Sequence, residues 1–263
     1  MFENRSIVEV CSIAKRLGYQ GIEIAPFTLN SNARDISSDL IATTRKSVED
    51  AGLEVVGLHW LLAGPTGVHM TTCDDVVYAR TKEYMWLLVD LCGDLGGSVM
   101  VIGSPKQRNI EDGQSVDGAW RRVAELFASV LDKAAERGVT LCIEPLSPIE
   151  TNFINTVEEG MRMVRELNHP NFKIHLDVKA MFSEGCPIPE IIRSVKAEDI
   201  GHFHVNDPNL YGPGMGELDY APLAEAIEQI GYDKWLSVEV FKYDPDPEIV
   251  AKKSIECLRR FWA

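Results

Sequence analysis

Four residues of ligand or acid–base type close four consecutive apolar runs in this 263-residue chain. They are Glu144 in Leu-Cys-Ile-Glu-Pro, Asp177 in Ile-His-Leu-Asp-Val, His204 in Gly-His-Phe-His-Val-Asn and Glu239 in Ser-Val-Glu-Val-Phe. A carboxylate at the end of a buried run is costly unless it is paired or bound to a cation. Three of them around one mouth would repel each other, and a divalent cation relieves that repulsion. For any single acidic group, a salt bridge to Lys or Arg is an equal account. For four such groups at successive run ends, a shared cation is the better one. Three oxygen ligands and one imidazole suit Mn²⁺, Mg²⁺ or Co²⁺ in roughly octahedral geometry, with positions left for two substrate oxygens. Zn²⁺ more usually takes additional His or Cys but is compatible, so the expected cofactor is one divalent metal, with Mn²⁺ preferred.

The elements that must carry these groups alternate regularly. Short apolar runs at Gly21–Ala25, Glu54–His59, Ser98–Ile102, Val139–Glu144, Phe172–Asp177, Gly201–Val205 and Trp235–Val240 read as strands. The near-continuous apolarity of Val99-Met100-Val101-Ile102 suits a parallel strand buried on both faces. Between them, amphipathic stretches near Ser6–Leu17, Ser37–Ala51, Asp74–Leu95, Val116–Arg137, Thr156–Leu167, Pro189–Ala197, Tyr220–Ile230 and Pro247–Phe261 read as helices. Ser37/Ser38, Asp74/Asp75 and Thr156 stand where N-caps belong, and Gly18, Gly52, Gly96, Gly138 and Gly231 where helices exit. Such alternation implies a parallel sheet with right-handed crossovers. With no composition break or long linker, the expectation is one α/β domain over residues 1–263, a TIM (β/α)8-type barrel. Seven strands accompany eight helices, and the first strand of the barrel is missing or truncated. Met1-Phe2-Glu3-Asn4 is too short and polar to serve, which suggests a late start to the sequence as given. In such a barrel the strand C-termini carry the active site, which is where the four residues fall.

At this point the sequence resembles a family. Ile143-Glu144-Pro145, Leu176-Asp177, Gly201-His202-Phe203-His204, the loop Gly214-Met215-Gly216-Glu217-Leu218-Asp219-Tyr220, and Val238-Glu239 together are similar to the xylose isomerase-like barrels of the sugar phosphate isomerase/epimerase superfamily. The resemblance runs from Ser6 onward and is strongest from Cys142 to Phe241. By similarity to the ketose 3-epimerases it implies Glu144, Asp177, His204 and Glu239 as metal ligands. It also implies Glu144 and Glu239 as the acid/base pair on opposite faces of the substrate, and Glu150 as a substrate contact. Ala180 and Leu210 stand where those epimerases carry a His and an Arg, so the sugar-reading half of the pocket differs. The three-metal cluster of endonuclease IV, a more distant member, lacks its further histidines here.

Other residues invite a role beside a structural alternative. His59, in Gly-Leu-His-Trp, can face substrate or be a buried histidine satisfied by a backbone carbonyl. Lys179, two residues past Asp177, can neutralise a substrate oxyanion or pair with Glu144, Glu150 or Glu239. Lys106 and Arg108, after Ser98–Ile102, can hold a phosphate or carboxylate, although at least one is expected to be solvated loop charge. Asn206 is placed among the substrate contacts or, beside His204, as the group orienting a ligand. Glu23 faces the interior without an assigned role. His202 is expected in the core below the metal, and His69, His169 and His175 as structural or exposed. Trp60 can wall the pocket, and the segment from Asp207 to Gly214 is either a lid or an inert connection.

Composition narrows the function classes. Lys+Arg 26 against Asp+Glu 40 gives a net charge of −14, with no basic run to offer phosphates, so nucleic acid is excluded as a partner. No apolar stretch of about 18 residues points to a membrane. Six dispersed cysteines form no C-x-x-C pair, which is consistent with a reduced, cytoplasmic setting. The expected partners are a small sugar or polyol substrate and, by resemblance, a second copy of the chain in a homo-oligomer. The expected function is a metal-dependent sugar isomerase or epimerase that abstracts a proton alpha to a carbonyl and passes through an enediolate. The alternatives are a dehydratase of the inosose or dehydroshikimate type, which breaks a C–O bond after the same first step, and a non-catalytic sugar-binding barrel.

Overall fold

A computed structural model describes residues 1–2 and 5–262. Seven parallel strands, β1 (Gly21–Ile24), β2 (Glu54–Leu58), β3 (Val99–Ile102), β4 (Thr140–Ile143), β5 (Phe172–Asp177), β6 (Ile200–Val205) and β7 (Leu236–Val238), lie side by side in chain order. Helices α1 (Ile7–Leu17), α2 (Ser38–Asp50), α3 (Asp75–Leu95), α4 (Val116–Glu136), α5 (Val157–Leu167), α6 (Val178–Phe182), α7 (Ile188–Arg193), α8 (Ala221–Ile230) and α9 (Pro247–Leu258) return the chain between them. This is the expected α/β TIM-type barrel, nearly closed, with seven strands among the described residues. One helix goes beyond expectation. Asp177 ends β5 and at once N-caps the short α6, accepting from the Ala180 N–H at 2.8 Å.

The local signals read correctly. Ser6 and Thr156 close capping boxes with Glu9 and Glu159, and Ser37 and Asp74 cap α2 and α3. All five expected exit glycines have positive φ, from 66° to 91°, a conformation that costs a residue with a Cβ. The inner strands β3 and β6 are buried along their full length, whereas β7 is half-buried throughout and β1 at three of its four residues.

That difference follows from the strand count. β1 and β7 are the two ends of the sheet, and between them runs a cavity of about 830 Å³ lined by Ile22, Ile24, Leu236 and Val238 and by α1 and α9. It extends up to Glu23, His59 and Glu239 at the barrel mouth. Of the Met1–Asn4 run, too polar for an inner strand, Glu3 and Asn4 lie outside the described residues. Among the described residues no helix is long and apolar enough to cross a membrane, and the six cysteines are free thiols.

Candidate active site

The strand ends bring the expected groups together. Glu144 directly follows β4, Asp177 closes β5, His204 is next to last in β6, and Glu239 directly follows β7. Register aligns Asp177 with His204 and His204 with Ser237, so these levels match across the sheet. Ligand atoms of Glu144, Asp177 and His204, together with His175, all lie within 4.8 Å of one another. Glu239 joins them through His204, its Oε2 standing 3.3 Å from His204 Nδ1. Gly103, just past β3, makes room for Glu144: a Cβ there would lie 2.2 Å from Glu144 Oε2.

Each group is held from behind. Asp177 accepts from Asn206 Nδ2 at 2.6 Å, while Asn206 Oδ1 accepts from the Lys179 backbone N–H at 2.8 Å. Tyr220 in turn donates its hydroxyl to the Asn206 carbonyl. Asn206, considered above as a substrate contact, is thus fully buried with both ends of its amide occupied, and it orients Asp177. Glu239 Oε1 lies 3.0 Å from the Trp60 indole N–H and 3.1 Å from His59 Nδ1. The tryptophan has φ of 52°, an uncommon conformation for so bulky a residue, and it aims the indole at the carboxylate. His204 stands between two carboxylates, with Nε2 2.9 Å from Glu23 Oε2 on its other side.

Electrostatics divide the two glutamates. Burial drives the Glu144 carboxyl well above the usual carboxylate range, and the charges of Glu239 and Asp177 add to it. Burial also pushes Glu239 up, but the facing His204, with His59 behind, outweighs it and holds that carboxyl well below the usual range. His204 is destabilised as a cation by burial, yet Glu23 and Glu239 raise it well above the ordinary imidazole range. The mouth therefore shifts one carboxyl up and the other down, a divergence of the kind that separates acid from base in proton-transfer sites.

Three carboxylates and an imidazole on rigid strand ends fit a divalent cation. The burial that opposes their charges supplies the reason: an ion would relieve the mutual repulsion of Glu144, Asp177 and Glu239. His175, expected to be structural or exposed, is fully buried here. Its Nε2 is 3.9 Å from Glu144 Oε1, its ring is 4.2 Å from that of His204, and neither of its nitrogens has a hydrogen-bond partner. Its sequence signal was its position two residues before Asp177, which puts both on one side of β5.

The remaining candidates separate by position. Lys179 donates to Glu150 Oε1 at 2.7 Å and lies 4.3 Å from the Phe241 ring centroid, so the ion-pair reading of this lysine is present in the structure. Lys106 is exposed on a 3₁₀ turn, Pro105–Gln107. Arg108, offered above as an anion holder, is the largest fully buried side chain and donates to the carbonyls of Ile102, Glu144 and Ile154. It is a fastener behind Glu144. The chain from Asp207 to Gly214 is tied down at Leu210, whose carbonyl accepts from the N–H groups of Phe241 and Lys242, both at 3.0 Å. His202 sits in the core against Glu23, as expected.

The profile of the xylose isomerase-like TIM barrel family matches residues 11–261, and the chain belongs to that family. Among curated proteins it is 28% identical to the L-ribulose 3-epimerase of Mesorhizobium japonicum over 221 residues, covering 83% of this chain and 72% of the relative. It is likewise 28% identical to the D-psicose 3-epimerase of Agrobacterium fabrum over 232 residues, covering 86% and 76%. Both relatives are sugar 3-epimerases, enzymes of the isomerase class. The solved 3-keto-D-glucoside 4-epimerase YcjR of E. coli superposes with a TM-score of 0.85 at 21% identity, covering 98% of this chain and 96% of that one, a likeness of fold.

Proposed function

We propose that this protein is a divalent-metal-dependent epimerase of a small ketose, with Glu144 and Glu239 as its acid/base pair. The observation that carries the reading is that these two glutamates meet Asp177 and His204 in one buried mouth, in surroundings that shift their carboxyls in opposite directions. Glu144, Asp177, His204 and Glu239 would hold the cation. When bound, it supplies Lewis acidity that stabilises negative charge developing on the substrate carbonyl oxygen.

The chain's own residues supply the proton chemistry. Glu239, held as a carboxylate by His204, His59 and Trp60, takes the proton from the carbon next to the carbonyl. Glu144, held as an acid, returns one to the opposite face of the enediolate, which inverts that carbon. The two exchange roles in the reverse direction, as a reversible epimerisation requires. His59, Glu150, Lys179 and Lys106 are the residues assigned to contact substrate. Ala180 presents only a methyl group where the 3-epimerases extend a histidine, so substrate hydroxyls on that side meet Lys179 and Glu150 instead.

The test is solvent exchange. Protein loaded with Mn²⁺ is incubated in D₂O with a panel of ketoses that includes D-psicose and L-ribulose, and products are read by mass and NMR. One deuterium gained at the inverted carbon, abolished in Glu239→Gln and Glu144→Gln, supports the assignment. Loss of the mass of water makes the enzyme a dehydratase. Binding of sugar and metal without exchange across the panel overturns the catalytic reading in favour of a sugar-binding barrel.

A further inference from the structure

We infer that Glu23 is a positioning residue for His204: it accepts from Nε2–H and so reserves Nδ1 as the nitrogen that faces the ligand site. The inference rests on the metal-dependent reading above and extends it to a residue on the opposite side of the barrel. A neutral imidazole carries its proton on one nitrogen only, and the partner of the other decides which. His204 is fully buried, so bulk water does not supply that partner. Its Nε2 lies 2.9 Å from Glu23 Oε2, and its Nδ1 lies 3.3 Å from Glu239 Oε2. One nitrogen is thus directed across the interior to β1 and the other to the ligand cluster.

Glu23 is built to be a stationary acceptor. It is the third residue of β1, its side chain is only 9% exposed, and its other oxygen rests against His202 Nε2. His202 and His204 are two apart on β6, so both rings project from one side of the strand and meet the two oxygens of a single carboxylate. Glu23 reaches β6 across the barrel, since β1 pairs only with β2. A carboxylate behind a ligating imidazole fixes its tautomer and ring plane and raises its basicity.

The experiment compares Mn²⁺ affinity, by titration calorimetry, in wild type, Glu23→Gln, Glu23→Ala and the ligand control Asp177→Asn. Glu23→Ala should weaken Mn²⁺ by about 10–100-fold, the usual effect of losing such an outer partner. Glu23→Gln keeps an acceptor of the same shape without the charge and should recover part of that loss, which also guards against misfolding of the alanine variant. ¹⁵N NMR of the Zn²⁺-loaded protein should show Nδ1 of His204 bound and Nε2 protonated. Wild-type affinity in Glu23→Ala, or Zn²⁺ on Nε2, overturns the inference. So does a second bound ion that Glu23→Ala alone removes, which would make Glu23 a ligand. If wild type binds no metal, the metal-dependent reading fails instead. The metal-free ¹⁵N spectrum, recorded at a pH where His204 is neutral, then decides the inference: a protonated Nε2 that loses its proton or its hydrogen bond in Glu23→Ala upholds it, and an unchanged signal refutes it.

Discussion

Replacing Arg108 by Met tests whether the barrel mouth is fastened from beneath. The guanidinium donates to the carbonyls of Ile102 at 3.3 Å, Glu144 at 2.6 Å and Ile154 at 3.2 Å. Hydrogen bonds from a charged donor contribute about 1.5–3 kcal/mol each, so three contribute about 4–9 kcal/mol before costs. Against this, burial holds the guanidinium down to about 10 from its ordinary 12.5, a penalty of about 3 kcal/mol. Its Nε, buried without a partner, adds to the cost. Met fills much of the volume. The Ile102 and Ile154 carbonyls keep their backbone partners, Glu144 N–H and Leu146 N–H, and only the Glu144 carbonyl is left bare. We therefore expect Arg108→Met to lose about 2–4 kcal/mol. For a chain of this size that lowers Tm by about 4–16 °C. Urea unfolding followed by circular dichroism, on metal-free protein, reads the change directly. A variant within about 0.5 kcal/mol of wild type, or more stable, would refute the reasoning, because the buried charge would then cancel or exceed the value of its three bonds.

Two further outcomes follow from titrating groups. Glu23 and Glu239 raise His204 well above the ordinary imidazole range, and its imidazolium must lose a proton before a ring nitrogen can bind a cation. Mn²⁺ binding at neutral pH should therefore release about one proton and strengthen as pH rises, measured by calorimetry in buffers of different ionisation enthalpy. Release of none would contradict the protonation assigned here. Glu184 caps the Val157 N–H at 3.0 Å, and burial raises its carboxyl to about 7. A carboxyl raised in the folded state makes the fold bind more protons than the unfolded chain between pH 4.5 and 7, so stability falls across that window as pH rises. Glu184→Gln should flatten that fall, and an unchanged slope in thermal melts across the window would remove Glu184 as its cause.

Much of this molecule is legible in one dimension because the signals are local. Capping residues, exit glycines and runs such as Val99–Ile102 depend only on near neighbours, and the strand-end positions of Glu144, Asp177, His204 and Glu239 follow from where apolar runs stop. The seven-strand count was readable for the same reason. Partners distant in sequence were not. Glu23 and His204 are separated by 181 positions, and Trp60 and Glu239 by 179, so only closure of the sheet brings them together. Arg108 read as a loop cation because composition does not say whether a charge faces water or three carbonyls. His175 and Asn206 were visible as residues, but their roles depend on which side of β5 and β6 faces the site. The sequence by itself determined the elements and the chemical types at their ends. The tertiary structure decided which groups meet and in which direction each carboxyl is shifted, because those depend on burial and on charges that meet only across the folded barrel.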